Sequence, residues 1–499
     1  MITIKPHASE KIHHQVERKS LIDEFKTFLP LTSIISEAEA LRPFECDGLS
    51  VYHCLPWLVV LPDTVEQVQR FIRICHRHNV PVVARGAGTG LAGGALPLDN
   101  GVLLSLAKLN KILEIDCANR LARVQPGVRN IAISQAVARD GLYYAPDPSS
   151  QIACTIGGNI AENSGGVHCL KYGLTTHNIL QIRIITMEGE LVTLGGHGLD
   201  SAGLDLLALM VGSEGLLGIV VEATVRLLPI PEHAEVILAA FDDIEKAGQA
   251  VAAIIASGLI PAGLEMMDHA AIRAAEDFIH AGYPENAEAI LLCELDGTEE
   301  QVEDELNRAY DLLKAGGAYE LRIAKSKEER QALWAGRKAA FPAVGRISPD
   351  YYCMDGTIPR RFLAKVLKAI AALSEQYGLS VANVFHAGDG NLHPLILYNA
   401  DNPGELEKAE RFGGDILKLC VASGGTITGE HGVGVEKINQ MCYQFTGNEL
   451  SQFHAVKKAF DDKGLLNPGK AVPTLHRCAE FGAMHVHHGN VPRPDLERF

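Results

Sequence analysis

Glycine is spread unevenly along this chain, and three dense clusters restrict what the chain can fold into. The 48 glycines concentrate between residues 86 and 101, 157 and 173, and 424 and 434. Such segments carry too few large side chains to build a hydrophobic core. Their backbone can instead take positive φ angles and bring N–H groups close to an anion. The clusters therefore predict ligand-binding loops carried on a scaffold formed by the rest of the chain.

Length and charge exclude several classes of protein. A chain of 499 residues suggests about two to four domains and can bury a large core without disulfides. The formal net charge of −16 argues against a nucleic-acid binder, which needs a basic face. Residues 1–20 lack the apolar region of a secretory signal. The longest mostly apolar stretch, Ala250–Leu264, is shorter than the ~20 residues of a membrane span, so no transmembrane segment is expected.

The cysteines bear on redox chemistry. There are 11, and no two of them form a CxxC pair. An odd, scattered set in a chain without a visible leader predicts reduced thiols in the cytoplasm. Iron–sulfur clusters need grouped thiolates. Any electrons handled by this chain are therefore expected to have no cluster within it through which to leave.

Four segments are predicted: a helical lead-in over 1–50, a first domain over 51–230, a second over 231–475, and an irregular tail over 476–499. Pro229-Ile230-Pro231 marks the boundary between the two domains. In the first domain, Thr64 and Gln67 form a capping-box pattern that begins a helix running through His78. In the second, a strand over 236–241 leads to a helix begun by Asp242 with Glu245. Both domains are predicted to be of the α+β class.

The first glycine loop runs from Ala84 to Gly94 and follows a predicted strand. Its stretch 88–93 matches GxGxxG, a weak dinucleotide signal when it stands alone. A nicotinamide-binding Rossmann unit needs a helix directly afterwards, and Leu96–Gly101 breaks any helix. A tight turn without a ligand and a Rossmann dehydrogenase remain as alternatives for this loop.

A second polar, glycine-rich stretch follows between Pro146 and Gly166. Small residues and hydroxyls fill this stretch, which can line a long phosphate-bearing ligand with backbone amides. The segment Gly212–Ile219 fits the same wall. Two such loops in one domain predict that both phosphates of a dinucleotide are held between loops rather than on one helix.

These motifs, R-G-x-G-T, P-D-P, T-I-G-G-N and G-S-E-G-x-L-G, resemble the FAD-binding domain of the vanillyl-alcohol-oxidase type flavoproteins from about Tyr52 to Pro231. The resemblance implies a two-lobed FAD-binding domain. Some members attach FAD to a histidine in the glycine loop, and this chain has Thr89 there, which implies non-covalent FAD. The implied cofactor-binding residues are Arg85, Gly86, Ala87, Gly88, Thr89, Gly90, Pro146, Ser150, Cys154, Gly157, Gly158, Asn159, Asn163, Gly166 and Ile219.

The third glycine cluster belongs with a set of histidines. His386 and His393 flank a predicted hairpin turn, and Glu430-His431 lies between glycines. Two histidines and a carboxylate form a common divalent metal set with a position open for substrate, which leaves His431 as a candidate base. The alternative is that each histidine is a satisfied turn residue. The histidines at 485, 487 and 488 are interpreted as surface or interface residues.

The motifs H-A-G-D-G-N-L-H and G-E-H-G-V-G resemble the C-terminal domain of FAD-linked 2-hydroxyacid dehydrogenases, implying an α+β, ferredoxin-like fold. The resemblance assigns His386, His393 and Glu430 to a divalent ion, Zn or Mn, and His431 to the substrate hydroxyl. It also assigns Arg337, which follows Trp334, to the substrate carboxylate. It places Asn467 against the flavin.

The implied reaction is oxidation of a small 2-hydroxy acid, with glycolate as the first candidate. Relatives acting on 2-hydroxyglutarate carry a second cation where this chain has Cys353, which argues against a dicarboxylate. The alternatives are D-lactate or another D-2-hydroxy acid, and a non-catalytic flavin-holding subunit.

The implied partners are a second flavin subunit and an iron–sulfur subunit that accepts electrons. The tail over 476–499 is a candidate docking surface for them. The expected location is the cytoplasm, with contact to the inner face of the cell membrane through the partner subunits.

Overall fold

The computed structural model describes residues 16–198 and 203–474, and it begins with a four-stranded sheet. A parallel core of three strands joins one short antiparallel strand. In sheet order the strands are Ile34–Ile35, Leu58–Val60, Val102–Ser105 and Val82–Arg85. The predicted helix is confirmed as Val65–His78, with the Thr64–Gln67 capping box in place. Its buried face, including Phe71 and Ile72, packs on this sheet.

A five-stranded antiparallel sheet forms the second layer of the amino-terminal part. In sheet order its strands are Ile112–Asp116, Leu121–Val124, Ile219–Arg226, Ile179–Ile185 and Leu191–Gly195. A small two-stranded sheet pairs Leu228–Pro229 with Leu142–Tyr143. The helices up to residue 210, including three 3-10 turns, are Arg18–Phe25, Leu31–Ser33, Ala38–Leu41, Arg42–Phe44, Val65–His78, Asn130–Val137, Ala138–Asp140, Ile156–Glu162, Cys169–Tyr172, Thr175–Asn178 and Leu206–Met210.

A seven-stranded antiparallel sheet is built entirely from residues beyond 232. In sheet order its strands are Glu320–Ile323, His233–Phe241, Ala289–Gly297, Gly263–Asp268, Val381–His386, Asn391–Tyr398 and Asp350–Cys353. If its first four strands are numbered in chain order, their spatial order is 4-1-3-2, the order of a ferredoxin-like unit. The hairpin formed by strands Val381–His386 and Asn391–Tyr398 extends that unit, and it carries the candidate metal ligands His386 and His393. The division into domains at residue 230 itself stays a prediction.

Helices pack against this sheet, and their caps test the sequence patterns. Thr298 and Ser326 begin two of these helices and accept capping hydrogen bonds from the backbone N–H groups of Gln301 and Glu329. The predicted start at Asp242 is wrong, because the neighbouring Asp243 accepts from the backbone N–H of Glu245. The helices and 3-10 turns are Ile244–Ala256, His269–Ile279, Glu299–Ala315, Lys327–Ala343, Val344–Arg346, Arg360–Phe362, Leu363–Tyr377, Glu405–Ala422, Met441–Gln444 and Gly447–Phe460.

Two features outside the sheets tie the chain together. Asn467 donates its backbone N–H to Val82 O at 2.8 Å, so the carboxy-terminal segment returns to the first sheet. The loop after residue 431 crosses to the amino-terminal part, where Glu214 accepts hydrogen bonds from Val433 N and Gly434 N, each at 2.7 Å. These contacts place the third glycine cluster against the first two.

The cysteines of the described segments are in two states. Nine cysteines in the described segments are free, whereas Cys442 is disulfide-bonded, so the expectation of reduced thiols throughout is not met. Within residues 16–198 and 203–474, no helix combines the length and apolar character needed to cross a membrane. The predicted tail over 476–499, with its candidate docking role, lies outside the described residues.

Gly434 should be intolerant of substitution. Its φ is +51°, and a Cβ atom there would lie 2.0 Å from Ala92 O. Gly434→Ala is expected to lower the free energy of unfolding by about 2–5 kcal/mol, from positive φ plus backbone overlap. Thermal denaturation measures the loss. Gly345→Ala is the control, because no atom lies within 4 Å of its Cβ position; equal stability of the two variants would contradict the tight crossing.

Candidate active site

A cleft of about 490 Å³ lies between the glycine loops and the end of the seven-stranded sheet. That volume is typical of a small-molecule or cofactor site. Most of the residues predicted from the sequence meet here. They are Arg85, Gly86, Ala87, Gly88, Thr89, Gly90, Ser150, Cys154, Gly157, Gly158, Asn159, Ile219, His386, His393, Glu430 and His431.

The glycines keep one wall of the cleft close to its neighbours. A Cβ on Gly86 would lie 2.2 Å from Thr155 Oγ1, and one on Gly90 would lie 2.2 Å from Glu162 Oε1. The Thr155 hydroxyl is buried without a hydrogen-bond partner. Because buried hydroxyls are nearly always satisfied, a polar ligand in the cleft fits this position. The cradle of backbone amides and hydroxyls is thus compatible with a bound FAD.

Several predicted residues do not line the cleft. Pro146 O accepts from Asn130 Nδ2, and Asn163 Oδ1 accepts from Thr176 N. Gly166 packs against the Asp147 backbone. These three shape the loops behind the cleft, and their contact with FAD stays a prediction.

Asn467 also stands behind the cleft. Its side-chain amide donates to Gly94 O at 3.0 Å and to Glu214 O at 2.7 Å. Both of those residues line the cleft. Asn467 therefore supports the wall, and its contact with the flavin stays a prediction.

The predicted metal ligands converge at the end of the seven-stranded sheet. Glu430 Oε1 lies 3.3 Å from His386 Nε2 and 3.0 Å from His393 Nε2. One ligand atom from each of the three residues falls within 4.8 Å of the others. His393 is 1 % exposed, and its Nε2 approaches Glu430 without forming a hydrogen bond of good geometry. A nitrogen–nitrogen–oxygen donor set with an unsatisfied imidazole fits a divalent ion.

The pKa values of Glu430 and His431 are both lowered, but for different reasons. Burial would raise the pKa of Glu430, yet His386 and His393 hold it well below its usual range. Burial lowers the pKa of His431 to about 4, although Asp355 opposes the shift. Its ring stacks on His393 with centroids 5.0 Å apart, and its Nδ1 is buried without a partner. A neutral imidazole with a free nitrogen suits a base.

Asp355 shapes the loop that carries Glu430 and His431. It accepts backbone hydrogen bonds from Gly429 at 3.1 Å, Glu430 at 3.1 Å and His431 at 2.9 Å. Burial would raise its pKa, but His431 and Lys437 lower it to about 2. Because the ionised carboxylate of Asp355 binds three consecutive backbone amides, the backbone at 429–431 is held in place. The directions in which Glu430 and His431 point are therefore fixed.

Arg337 lies away from the cleft lining. It is 1 % exposed, and its Nη2 lies 2.6 Å from Glu265 Oε2. The nearest partner of this guanidinium is thus a protein carboxylate, whereas the prediction placed a substrate carboxylate there. The adjoining Lys338 is exposed and does line the cleft.

Sequence reasoning missed Glu265, Asp355, Glu214, Glu162 and Lys338. The first two come from strand Gly263–Asp268 and from the D-G-T-I-P segment. Neither has a signal in the sequence that ties it to the distant histidines. Glu214 was within a recognised motif, but its side chain turns toward residues 433 and 434. Lys338 follows Arg337 directly, and only helix orientation separates their roles.

The fold and this cleft define the class of protein: a flavoprotein whose second domain closes over the cofactor cleft with a histidine–carboxylate site. Family models agree, matching residues 56–195 as an FAD binding domain and residues 230–471 as the C-terminal domain of FAD linked oxidases. The chain belongs to the FAD-linked oxidases, and it is an FAD-dependent oxidoreductase.

Relatives of known name agree with this membership. The glycolate oxidase subunit GlcD of Escherichia coli strain K12 is 64% identical over 484 residues, which cover 97% of each chain. A D-lactate dehydrogenase of Anaerostipes hadrus is 32% identical, covering 90% of this chain and 96% of its own. Both alignments span the glycine loops and the histidine cluster.

A solved structure supports the fold alone. p-Cresol methylhydroxylase with substrate bound superposes with a TM-score of 0.78 at 18% identity, covering 92% of this chain and 97% of that one. The predicted vanillyl-alcohol-oxidase type architecture with a ferredoxin-like second part is confirmed.

Thr155 offers a test of cofactor contact that leaves the fold intact. Thr155→Val keeps the shape of the side chain and removes a buried hydroxyl that has no protein partner. FAD affinity is expected to fall about tenfold, the effect of one lost hydrogen bond of roughly 1.4 kcal/mol. Flavin release is followed by fluorescence. Thr155→Ser is the control and should bind FAD like the unmodified protein; equal affinity in the valine variant would show that the hydroxyl does not face the cofactor.

Proposed function

We propose that this protein oxidises a small 2-hydroxy acid, with glycolate converted to glyoxylate as its main reaction. The observation that carries the proposal is the buried, unpartnered Nδ1 of His431 beside the His386–His393–Glu430 cluster, inside the same cleft as the glycine loops. A base next to an ion-binding set is suited to removing a proton from a hydroxyl. The name of the 64% identical relative, a glycolate oxidase subunit, favours glycolate.

FAD would be held without a covalent bond. Thr89 occupies the loop position at which some flavoproteins of this type carry an attached histidine, and a threonine hydroxyl is no comparable nucleophile. The loop over 85–90 and residues 157–159 both line the cleft, and backbone amides from two loops suit a ligand with two phosphates. FAD, when bound, supplies the two-electron acceptor of the oxidation.

A divalent ion, Zn or Mn, would be held by His386, His393 and Glu430. A bound ion of this kind supplies a Lewis acid that lowers the pKa of a hydroxyl. The three protein ligands leave at least one position open, as catalytic sites require.

The remaining steps belong to side chains of this protein. His431 Nδ1 accepts the proton of the substrate 2-hydroxyl. Lys338, as the exposed cation of helix Lys327–Ala343 that lines the cleft, is placed to hold the substrate carboxylate. Phe341 and Pro342 on the same helix contribute an apolar wall, which limits the size of the group attached to C2.

Two other functions can be compared with this one. Oxidation of D-lactate is favoured by the similarity to a D-lactate dehydrogenase, at lower identity. A non-catalytic, flavin-holding subunit would have no use for a base, a ligand set and a lining cation in one cleft. The cluster therefore favours catalysis in this chain.

The electrons would leave through other subunits. In residues 16–198 and 203–474, no group of metal-ligating side chains contains more than one cysteine, as an iron–sulfur cluster would require. We therefore propose a second flavin subunit and an iron–sulfur subunit as partners, in a cytoplasmic complex that meets the inner face of the cell membrane through those partners. The printed name of the E. coli relative, a subunit, supports a complex.

Anaerobic reduction of the flavin tests the substrate directly. Glycolate mixed with the purified holoenzyme should bleach the flavin band at least about tenfold faster than D-lactate, since one methyl in a confined pocket is worth roughly 1–3 kcal/mol. Stopped-flow absorbance measures both rates, and propionate, which lacks the hydroxyl, serves as the control. Faster bleaching by D-lactate would reverse the assignment, and no bleaching by either acid would support the non-catalytic alternative.

The role of His431 is tested by His431→Ala. Turnover is expected to fall at least about 100-fold, the usual effect of losing a general base, while FAD and metal contents stay unchanged. His233→Ala is the control, because that side chain is 43% exposed and lies outside the cleft. Steady-state kinetics with absorbance and metal analysis give the answer. Unchanged turnover would remove His431 from the mechanism.

A further inference from the structure

Two buried charged residues lie behind the candidate ligand His386: Glu265 contacts His386, and Arg337 contacts Glu265. Glu265 lies on strand Gly263–Asp268, whose neighbour in the sheet is Val381–His386. Both residues are 1 % exposed. Glu265 Oε1 lies 2.8 Å from His386 Nδ1, and Glu265 Oε2 lies 2.6 Å from Arg337 Nη2.

A histidine can bind a metal ion only through a nitrogen that carries a free lone pair, with its proton on the other nitrogen. At His386, the carboxylate of Glu265 accepts a hydrogen bond from Nδ1–H. This bond leaves the lone pair on Nε2, the atom that faces Glu430 at 3.3 Å. It also stops the ring from rotating, because Nδ1 is tied to a strand of the same sheet.

The second oxygen of Glu265 needs a partner of its own. An ionised carboxylate in the core is costly unless it is paired. Arg337 supplies the positive charge from helix Lys327–Ala343, with its Nη2 2.6 Å from Glu265 Oε2. Arg337 Nε and Nη2 are buried without a hydrogen-bond partner, so the guanidinium keeps donors for its predicted partner, the substrate carboxylate.

We propose that Glu265 is a positioning residue that sets the tautomer and orientation of His386, with Arg337 balancing its charge, so that the ion site depends on Glu265 as well as on its three ligands. This role rests on the metal site proposed above. Partners of this kind, behind a ligating histidine, typically change metal affinity 10- to 100-fold.

The test measures ion affinity in the FAD-loaded protein, after removal of metal with a chelator. Zn²⁺, and in a separate series Mn²⁺, is titrated in competition with a chromophoric chelator. Glu265→Ala should weaken binding 10- to 100-fold with FAD content unchanged. Because a lone buried arginine can prevent folding, the double variant Glu265→Leu with Arg337→Met removes both charges together, and it should show the same loss.

Lys338→Met is the control for the loss of a positive charge from the same helix. It should leave the ion affinity unchanged, because the Glu265 carboxylate is paired with Arg337. An equal loss of ion affinity in Lys338→Met and Glu265→Ala would overturn the positioning role.

Failure of the inference and failure of the metal site give different results. If the unmodified protein binds stoichiometric metal and the Glu265 variants bind it equally well, the positioning role is overturned and the metal site stands. If the unmodified protein binds neither Zn²⁺ nor Mn²⁺, the metal site and the positioning role are both overturned.

Discussion

The site depends on the hydrogen bonds that two buried carboxylates accept from the backbone of a single glycine-rich loop. Asp355 accepts hydrogen bonds from three consecutive backbone amides at 429–431, and Glu214, from the amino-terminal part, accepts from those of 433 and 434. Hydrogen bonds to ionised groups are about twice as strong as neutral ones. The loop that presents Glu430 and His431 is therefore fixed from both sides of the cleft.

Burial makes this arrangement both costly and selective. Charged groups in a low-dielectric interior persist only with partners, and here the partners are one another: Asp355 with Lys437, Glu265 with Arg337, Glu430 with two histidines. The polar atoms left over in the cleft, such as His431 Nδ1 and Thr155 Oγ1, point to what a cofactor, an ion and a substrate would satisfy. The same network links the ion site to a helix that also lines the cleft.

Much of this could be read from the sequence, because its signals are local. The glycine loops, the capping box at Thr64, the helix caps at Thr298 and Ser326, and the hairpin between His386 and His393 are set by residues a few positions apart. Pattern reasoning was less successful at boundaries: the helix cap fell on Asp243 instead of Asp242, and Asn391 joined a strand instead of the turn. At both places neighbouring residues offer similar local chemistry, and packing decides between them.

The sequence by itself determined the class of ligand, since only a chain with several glycine-lined loops can bring so many backbone amides to one anion, and it determined the histidine–glutamate chemistry. Tertiary structure alone decided which charges meet. Glu265 and His386 are 121 residues apart, and Glu214 and Gly434 are 220 apart. Contacts at such separations depend on strand order and on the side that a helix presents to the cleft. For that reason the adjacent cations Arg337 and Lys338 received different surroundings, one a buried carboxylate and the other the open cleft.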